Sequence, residues 1–254
     1  MELDVETESF TIHKDQHCET NEVVKITLIP FARDDKLCRQ RFRNAAEAAA
    51  KLQHHAIAGV ELLECGEYEA VRLPFGNSLA ITLTQRQFTN REAAQLVADI
   101  ATAAQFACSK GLLHLRINPD NILLVGDKPL LVNFGNHALN DPTMHERDRA
   151  FLAPEQTDEG KVVDQKSDVF GLGAVLYRLL TGRPPVVGSA SQSYRASPPR
   201  PRLLEPHLDP KLEAICLKSI ELKVSRRYSS AAAFEEDLGC FLDELPITAR
   251  PYSL

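Results

Sequence analysis

The stretch Gly111-Leu-Leu-His-Leu-Arg-Ile-Asn-Pro-Asp-Asn-Ile-Leu-Leu-Val125, followed by Leu131-Val-Asn-Phe-Gly135, limits the fold more than any other part of the chain. Its apolar runs are too short for helices and read as strands. Gly126-Asp127 between them is a hairpin turn. Upstream, His114, Arg116, Asn118, Asp120 and Asn121 crowd with Pro119 into one connection.

What precedes the loop changes character near residue 77. Phe10 and Ile12, then Val23, Val24, Ile26 and Leu28, give two strand-like runs around a polar turn at Asp15 to Asn21. Pro30 ends the second run. Lys36 to Leu52 is alanine-rich and charged, with high helix propensity. Val60 to Leu63 and Ala70 to Leu73 read as two further strands, and Gly76-Asn77 as a turn or connection. Arg91 to Lys110 then carries apolar residues at helical spacing, with Gly111 as its C-cap.

The rest of the chain is helical. Ser167 to Thr181 is apolar almost all round and reads as a buried helix, with Ser167 or Asp168 near its start and Gly182 and Pro184-Pro185 ending it. Residues 188–202 read as a loop. Leu212 to Leu222 and Ser230 to Leu245 read as amphipathic helices. No internal repeat is visible.

Composition narrows the function classes. The 254 residues include 25% charged and 44% hydrophobic side chains, ordinary values for a globular chain long enough to bury a sizeable core. A net charge of −6 argues against nucleic acid as the main partner. Cys18, Cys38, Cys65, Cys108, Cys216 and Cys240 are scattered without metal-ligand spacing, as expected of reduced thiols in the cytoplasm. The acidic N-terminus is not a signal peptide. No apolar run reaches the roughly 20 residues that span a bilayer, so no membrane contact is expected from this chain.

Small sheet, connection, large helical part: that order, with the motifs at 111–135, resembles the eukaryotic-type Ser/Thr protein kinase domain. The tail Arg227-Tyr-Ser-Ser-Ala-Ala-Ala-Phe-Glu-Glu-Asp-Leu-Gly-Cys-Phe-Leu242 is similar to bacterial members. The resemblance covers roughly residues 10–245 and implies one bilobal α+β domain over 1–254. A small β-sheet lobe with one helix would occupy about 9–75, its first strand and glycine-rich loop reduced or absent. A mainly helical lobe would occupy about 77–245. The chain could also be a piece of a longer protein.

A kinase holds phosphates with a glycine loop and a lysine, holds metal with Asp and Asn, and orients the hydroxyl with Asp. The resemblance puts Lys25, in Val23-Val24-Lys25, at the phosphate-pairing lysine, with Val71 and Leu73 beside the nucleotide. The glycine loop belongs near Leu3 to Phe10, where there is no glycine and where Asp4, Glu6 and Glu8 would repel phosphate. Ala45 stands where the lysine's glutamate partner belongs; Glu47 is about 200° around the helix from it.

In the loop the hydroxyl-orienting aspartate becomes Arg116, always protonated and unable to accept a proton. The lysine that would contact the transferred phosphate becomes Asn118. Asn121 matches the metal-binding asparagine. The Asp of Asp-Phe-Gly becomes Asn133, a neutral amide and a much weaker ligand for a hard cation. Between Asn133 and Ala153, Thr143 is the one obvious hydroxyl.

The retained positions are architectural. Glu155 of Ala153-Pro-Glu is matched to a pairing partner in Arg227. Asp168 is matched to the carboxylate that holds the loop backbone. His114 and Phe134 would pack in a hydrophobic spine, and Gly135 completes the tripeptide. The resemblance therefore implies a catalytically impaired kinase fold, a pseudokinase, acting as a binding, scaffold or allosteric module toward another protein, such as an active kinase or signalling protein. The alternative is a residual phosphotransferase using Lys25 and Asn121, since a fold alone does not fix the chemistry. No metal is expected. The lost carboxylates leave the cleft more positive than the family pattern, which would suit weak, metal-independent ATP binding.

Overall fold

The structure, a computed structural model, describes residues 2–6, 11–16, 23–30, 36–59, 61–65, 68–74, 76–134, 146–157, 161–185 and 197–250. The strand-forming runs of the first quarter pair into one antiparallel sheet. Its strands are β1 (Glu2–Glu6), β2 (Thr11–Gln16), β3 (Val23–Pro30), β4 (Glu61–Cys65) and β5 (Tyr68–Pro74), in the order β1-β2-β3-β5-β4. The first strand, expected to be reduced or absent, is present in 5 residues. It needs only Glu2 to Glu6 to pair with β2, with an irregularity between Leu3 and Val5. The stretch 7–10, part of the expected glycine-loop position, lies outside the described residues.

Helix α1 (Lys36–Ala50) is the alanine-rich segment, and it packs on β4 and β5. It buries Ala46 and Ala49 and leaves Glu47 exposed. The chain then runs past a second sheet made of β6 (Asn77–Ser78), β7 (Ile122–Val125) and β8 (Lys128–Leu131). The Leu131 N–H donates to the Ala56 carbonyl at 2.9 Å and the Ala58 N–H to the Leu131 carbonyl at 3.1 Å. This parallel bridge ties the segment after α1 to the hairpin beside the polar loop. Gly76 lies between the two sheets at a close approach: a Cβ there would sit 2.6 Å from the Leu124 carbonyl oxygen.

The helical part begins with α2 (Leu79–Gln85), which the sequence reading did not anticipate. Ser78 caps it by accepting from the Ile81 N–H, and Leu79 is completely buried. Helix α3 (Asn90–Ser109) opens on a capping box, Thr89 with Glu92, that satisfies two terminal N–H groups at once. It closes with Gly111 in the left-handed region at φ 80° and the Leu112 N–H on the Ala107 carbonyl, a glycine stop. Two one-turn helices follow, α4 (Glu146–Arg149) and α5 (Pro154–Thr157).

Helix α6 (Gln165–Thr181) runs through the middle of this part, and nearly all of its residues are buried. Each of the fully buried Leu172 and Leu176 side chains contributes about 1.5–3 kcal/mol. Its N-cap is Asp164, three residues before the expected start, whose carboxylate accepts from the Lys166 N–H at 2.7 Å. That shift puts Ser167 and Asp168 inside the first turn, free to bond to other elements. Gly171 lets α6 approach the polar loop, since a Cβ there would meet Ile117 Cβ at 3.0 Å.

Helices α7 (Pro201–Leu204), α8 (Pro210–Ser219) and α9 (Ala231–Leu242) complete the described elements. Asp237 of α9 fastens the segment behind it. Its carboxylate accepts from the Tyr228 hydroxyl, the Thr248 N–H and hydroxyl, and the Ala249 N–H, all at 2.9 Å or less. The result is the bilobal α+β arrangement expected from the sequence: a small sheet with one helix, then a mainly helical lobe. Among the described residues no helix is long and apolar enough to cross a membrane.

Candidate functional site

The loop between α3 and β7 is held from three sides. From α6, the Asp168 carboxylate accepts the His114 N–H at 2.9 Å and the Leu115 N–H at 2.6 Å. Burial pushes the Asp168 carboxyl up to about 6, against the two backbone N–H bonds, which pull it down. From α5, Gln156 donates its amide N–H to the Leu115 carbonyl at 2.6 Å and accepts the Ala153 N–H at 3.0 Å. From the hairpin side, the His114 ring bonds the Val132 carbonyl through Nε2 at 2.8 Å. Its Nδ1 accepts the Arg116 N–H at 3.2 Å, so the proton sits on Nε2.

These bonds fix an unfavourable backbone. Leu115 has φ 61°, a region that costs a non-glycine residue about 1–2 kcal/mol. Both peptide groups flanking that residue are bonded to side chains from other elements, which holds the conformation against its cost. Next along the chain, Asn118 caps the 3-10 turn Pro119–Asn121 by accepting the Asn121 N–H at 3.0 Å, and is itself buried.

Asn121 and Asn133 meet directly. The Asn121 side-chain N–H donates to the Arg116 carbonyl at 2.8 Å, which turns the Asn121 carbonyl oxygen toward Asn133. Asn133 donates its own side-chain N–H to that oxygen at 2.8 Å. Asn133 has φ 65°, a conformation that asparagine tolerates better than most residues. The next residue, Phe134, is buried edge-on against the His114 ring with centroids 4.6 Å apart.

Behind the loop lies a buried ion pair. Arg227 Nη1 and Nη2 reach Glu155 Oε1 and Oε2 at 2.6 and 2.9 Å, and the Ser167 hydroxyl adds a bond to Oε1 at 2.7 Å. Arg227 also donates to the Glu221 and Lys166 carbonyls, and its guanidinium lies 4.9 Å from the centre of the Phe170 ring. Burial pushes the Glu155 carboxyl up, but the Arg227 and Ser167 bonds outweigh it and hold the group below its ordinary value.

The structure thus brings His114, Arg116, Asn118, Asn121, Asn133 and Phe134 into one cluster, with Asp168 beneath it and Glu155–Arg227 behind. Lys25 lies in the other lobe on β3, opposite Leu73 of β5, with Val71 opposite Thr27 in the same register. Ala45 lies in α1. Gly135 and Thr143 lie outside the described residues. Gln156 was missed in the sequence because nothing in its spacing shows that it bonds to the loop. The capping role of Asn118 was readable in Asn118-Pro-Asp, a turn signal.

The protein kinase domain model matches residues 11–236. The chain belongs to the protein kinase domain family. Among its relatives, a probable serine/threonine-protein kinase of Streptomyces coelicolor is 32% identical over 250 residues, covering 89% of this chain and 37% of that protein. The serine/threonine-protein kinase PknB of Mycolicibacterium smegmatis is 34% identical over 239 residues, covering 85% of this chain and 38% of its own length. A probable PknB of Bifidobacterium longum is 29% identical over 256 residues. The chain spans less than two fifths of the length of the first two of these curated relatives.

A kinase domain generally uses ATP with a divalent metal. The residues at the two metal-ligand positions here do not fit such an ion. A hard divalent cation requires oxygen ligands, carboxylates above all. The Asn121 carbonyl oxygen accepts an N–H of Asn133 at 2.8 Å, so the second matched position turns a donor toward the first rather than an acceptor. Among the described residues no group of three His, Cys, Asp or Glu could hold a metal ion.

Proposed function

We propose that this kinase domain is a pseudokinase, a catalytically impaired fold kept as a binding, scaffold or allosteric module for another protein. The observation that carries the reading is the direct Asn133–Asn121 bond at the metal position. Arg116 stands one residue behind the held Leu115, where a kinase orients its acceptor hydroxyl by a carboxylate. A guanidinium donates in every accessible protonation state, so it does not replace that group.

The partner is proposed to be a protein, an active kinase or other signalling protein, rather than nucleic acid or membrane. Cytoplasmic location belongs to the same proposal, in keeping with the free thiols of Cys108, Cys216 and Cys240. ATP, if taken up, is proposed to bind weakly and without metal, because Arg116 and Asn133 stand at the matched positions where carboxylates would call for a metal. The relatives' printed names favour the second reading, a residual phosphotransferase using Lys25 and Asn121. Against it stands the engagement of both polar ends of the Asn121 amide.

ATP turnover at high protein concentration, with Mg²⁺, Mn²⁺ or chelator, separates the two. The pseudokinase reading expects no turnover in any of the three. Sustained turnover that needs metal would overturn it. A melting-temperature rise with ATP that is equal with and without Mg²⁺ would support metal-free binding, and no rise at millimolar ATP would reject it.

A further inference from the structure

In a metal-using kinase domain, the loop asparagine and the aspartate of the tripeptide that follows the hairpin both serve as metal ligands. Here a neutral amide pair joins them without one. We infer that the Asn121–Asn133 pair is a built-in replacement for the metal bridge, so that this joint stays closed whatever the occupancy of the cleft. The inference rests on the non-catalytic reading above and deepens it by saying how the site is regulated: not by metal.

Three features of the site support the substitution. First, the pair is oriented, not accidental. The Arg116 carbonyl takes the Asn121 side-chain N–H at 2.8 Å, so only the Asn121 oxygen can face Asn133, and Asn133 must present an N–H. An aspartate at 133 would set two acceptors against each other, the arrangement that a cation relieves. Second, the pair is seated at a fixed distance. Asn121 is pinned by the Asn118 cap through its own N–H at 3.0 Å, and its neighbour Ile122 is buried in β7. Third, the far side of the joint is clamped too. Phe134 directly follows Asn133 and packs against His114, which Asp168 holds from below. Asn133 is thus fixed on one side by Phe134 and on the other by Asn121, with its left-handed backbone, φ 65°, between them.

The consequence is a change in what the cleft can report. Where a cation supplies the joint, removing it takes the joint away. Where an amide bond supplies it, chelator and metal leave the joint alike. A partner reading the Asn121–Asn133 joint would meet one conformation with or without metal.

The test is thermal melting of the wild type and of Asn133→Asp in chelator, Mg²⁺ and Mn²⁺, each with a non-hydrolysable ATP analogue present. The wild type is expected to melt at one temperature in all three. Asn133→Asp is expected to melt lower in chelator, by roughly 2–4 °C for a loss of one hydrogen bond's worth of stability. Mn²⁺ is expected to recover part of that loss in the variant alone. A wild type that gains stability with Mn²⁺ overturns the inference. So does a variant that melts with the wild type in chelator, or one that melts low and gains nothing from Mn²⁺.

Should Asn133→Asp fail to fold, hydrogen exchange on the wild type serves instead. Amides of 114–122 and 131–134 are expected to be equally protected in chelator and Mn²⁺, and added protection in Mn²⁺ overturns the inference. Failure of the non-catalytic reading is told apart by the turnover assay. Turnover in a protein whose stability ignores metal defeats that reading and leaves the bridge. Metal-dependent stability in a protein without turnover defeats the bridge and leaves the reading.

Discussion

Two sets of polar residues in the helical lobe differ in kind. Within the body of the lobe, carboxylates are buried: among the described residues these acids are Glu155, Asp168, Glu213 and Asp237. Each is matched to N–H or O–H donors from other parts of the chain. Glu155 has Arg227 and Ser167, and Asp168 has two loop N–H groups. Glu213 has the Arg200 guanidinium and the Arg202 N–H, and Asp237 has Tyr228, Thr248 and Ala249. At the positions that the resemblance matches to carboxylates facing a nucleotide or an acceptor, Arg116 and Asn133 stand instead.

The physics separates these sets. A buried carboxylate whose donors lie inside the fold is hard to remove, because its loss strands those donors at about 1–3 kcal/mol each. A cleft carboxylate bonds to metal or substrate, and nothing in the folded chain is stranded when it is replaced. Under the proposed pseudokinase reading, loss of function at the cleft would leave the fold intact, and the amide pair of Asn121 and Asn133 adds a bond where the family pattern has a charge. The difference between the two sets is the difference between what holds the domain and what would make it work.

The sharpest way to break this contrast is to attack the anchors. Arg227→Ala should cost about 3–5 kcal/mol, because it leaves the Glu155 carboxylate buried without its cation. Chemical denaturation of the variant against the wild type measures it, and a loss below 1 kcal/mol would mean that the pair is not the anchor described. An intermediate effect belongs to Asp168→Asn, which keeps the shape but replaces one acceptor oxygen with a donor. The expected loss is about 1–3 kcal/mol at low pH.

That loss should also depend on pH. The Asp168 carboxyl is raised in the folded state, so its contribution is fully present below 3.8 and is lost as pH rises through about 6. Across that window the wild type should lose stability relative to Asp168→Asn, whose amide does not titrate. A difference between the two that is flat with pH would show that burial does not shift this group.

Much of this was legible in the sequence. Periodicity gave the small sheet, the long α3 and the all-apolar α6, and ordered motifs matched Glu155 to Arg227 and Asp168 to the loop. Where the reading fell short, local signals competed with tertiary ones. Helix α6 starts at Asp164 because that aspartate can cap, and the apolar run on which the expected start rested begins only after it. Helix α2 is one short segment between a two-residue strand and a second helix, with too few turns to show a period. The role of Gln156 and the mutual bond of Asn121 and Asn133 depend on which way side-chain amides point. That is decided by the Leu115 and Arg116 carbonyls, which no spacing rule locates.

The central claim is that the fold is kept and the phosphoryl-transfer chemistry is not. It is tested most directly by incubating the purified chain with γ-labelled ATP and a generic protein substrate, in Mg²⁺ and in Mn²⁺, beside Lys25→Ala. The account predicts no label on the chain or the substrate above the level of the Lys25→Ala control. Robust transfer by the wild type that disappears in Lys25→Ala would contradict it.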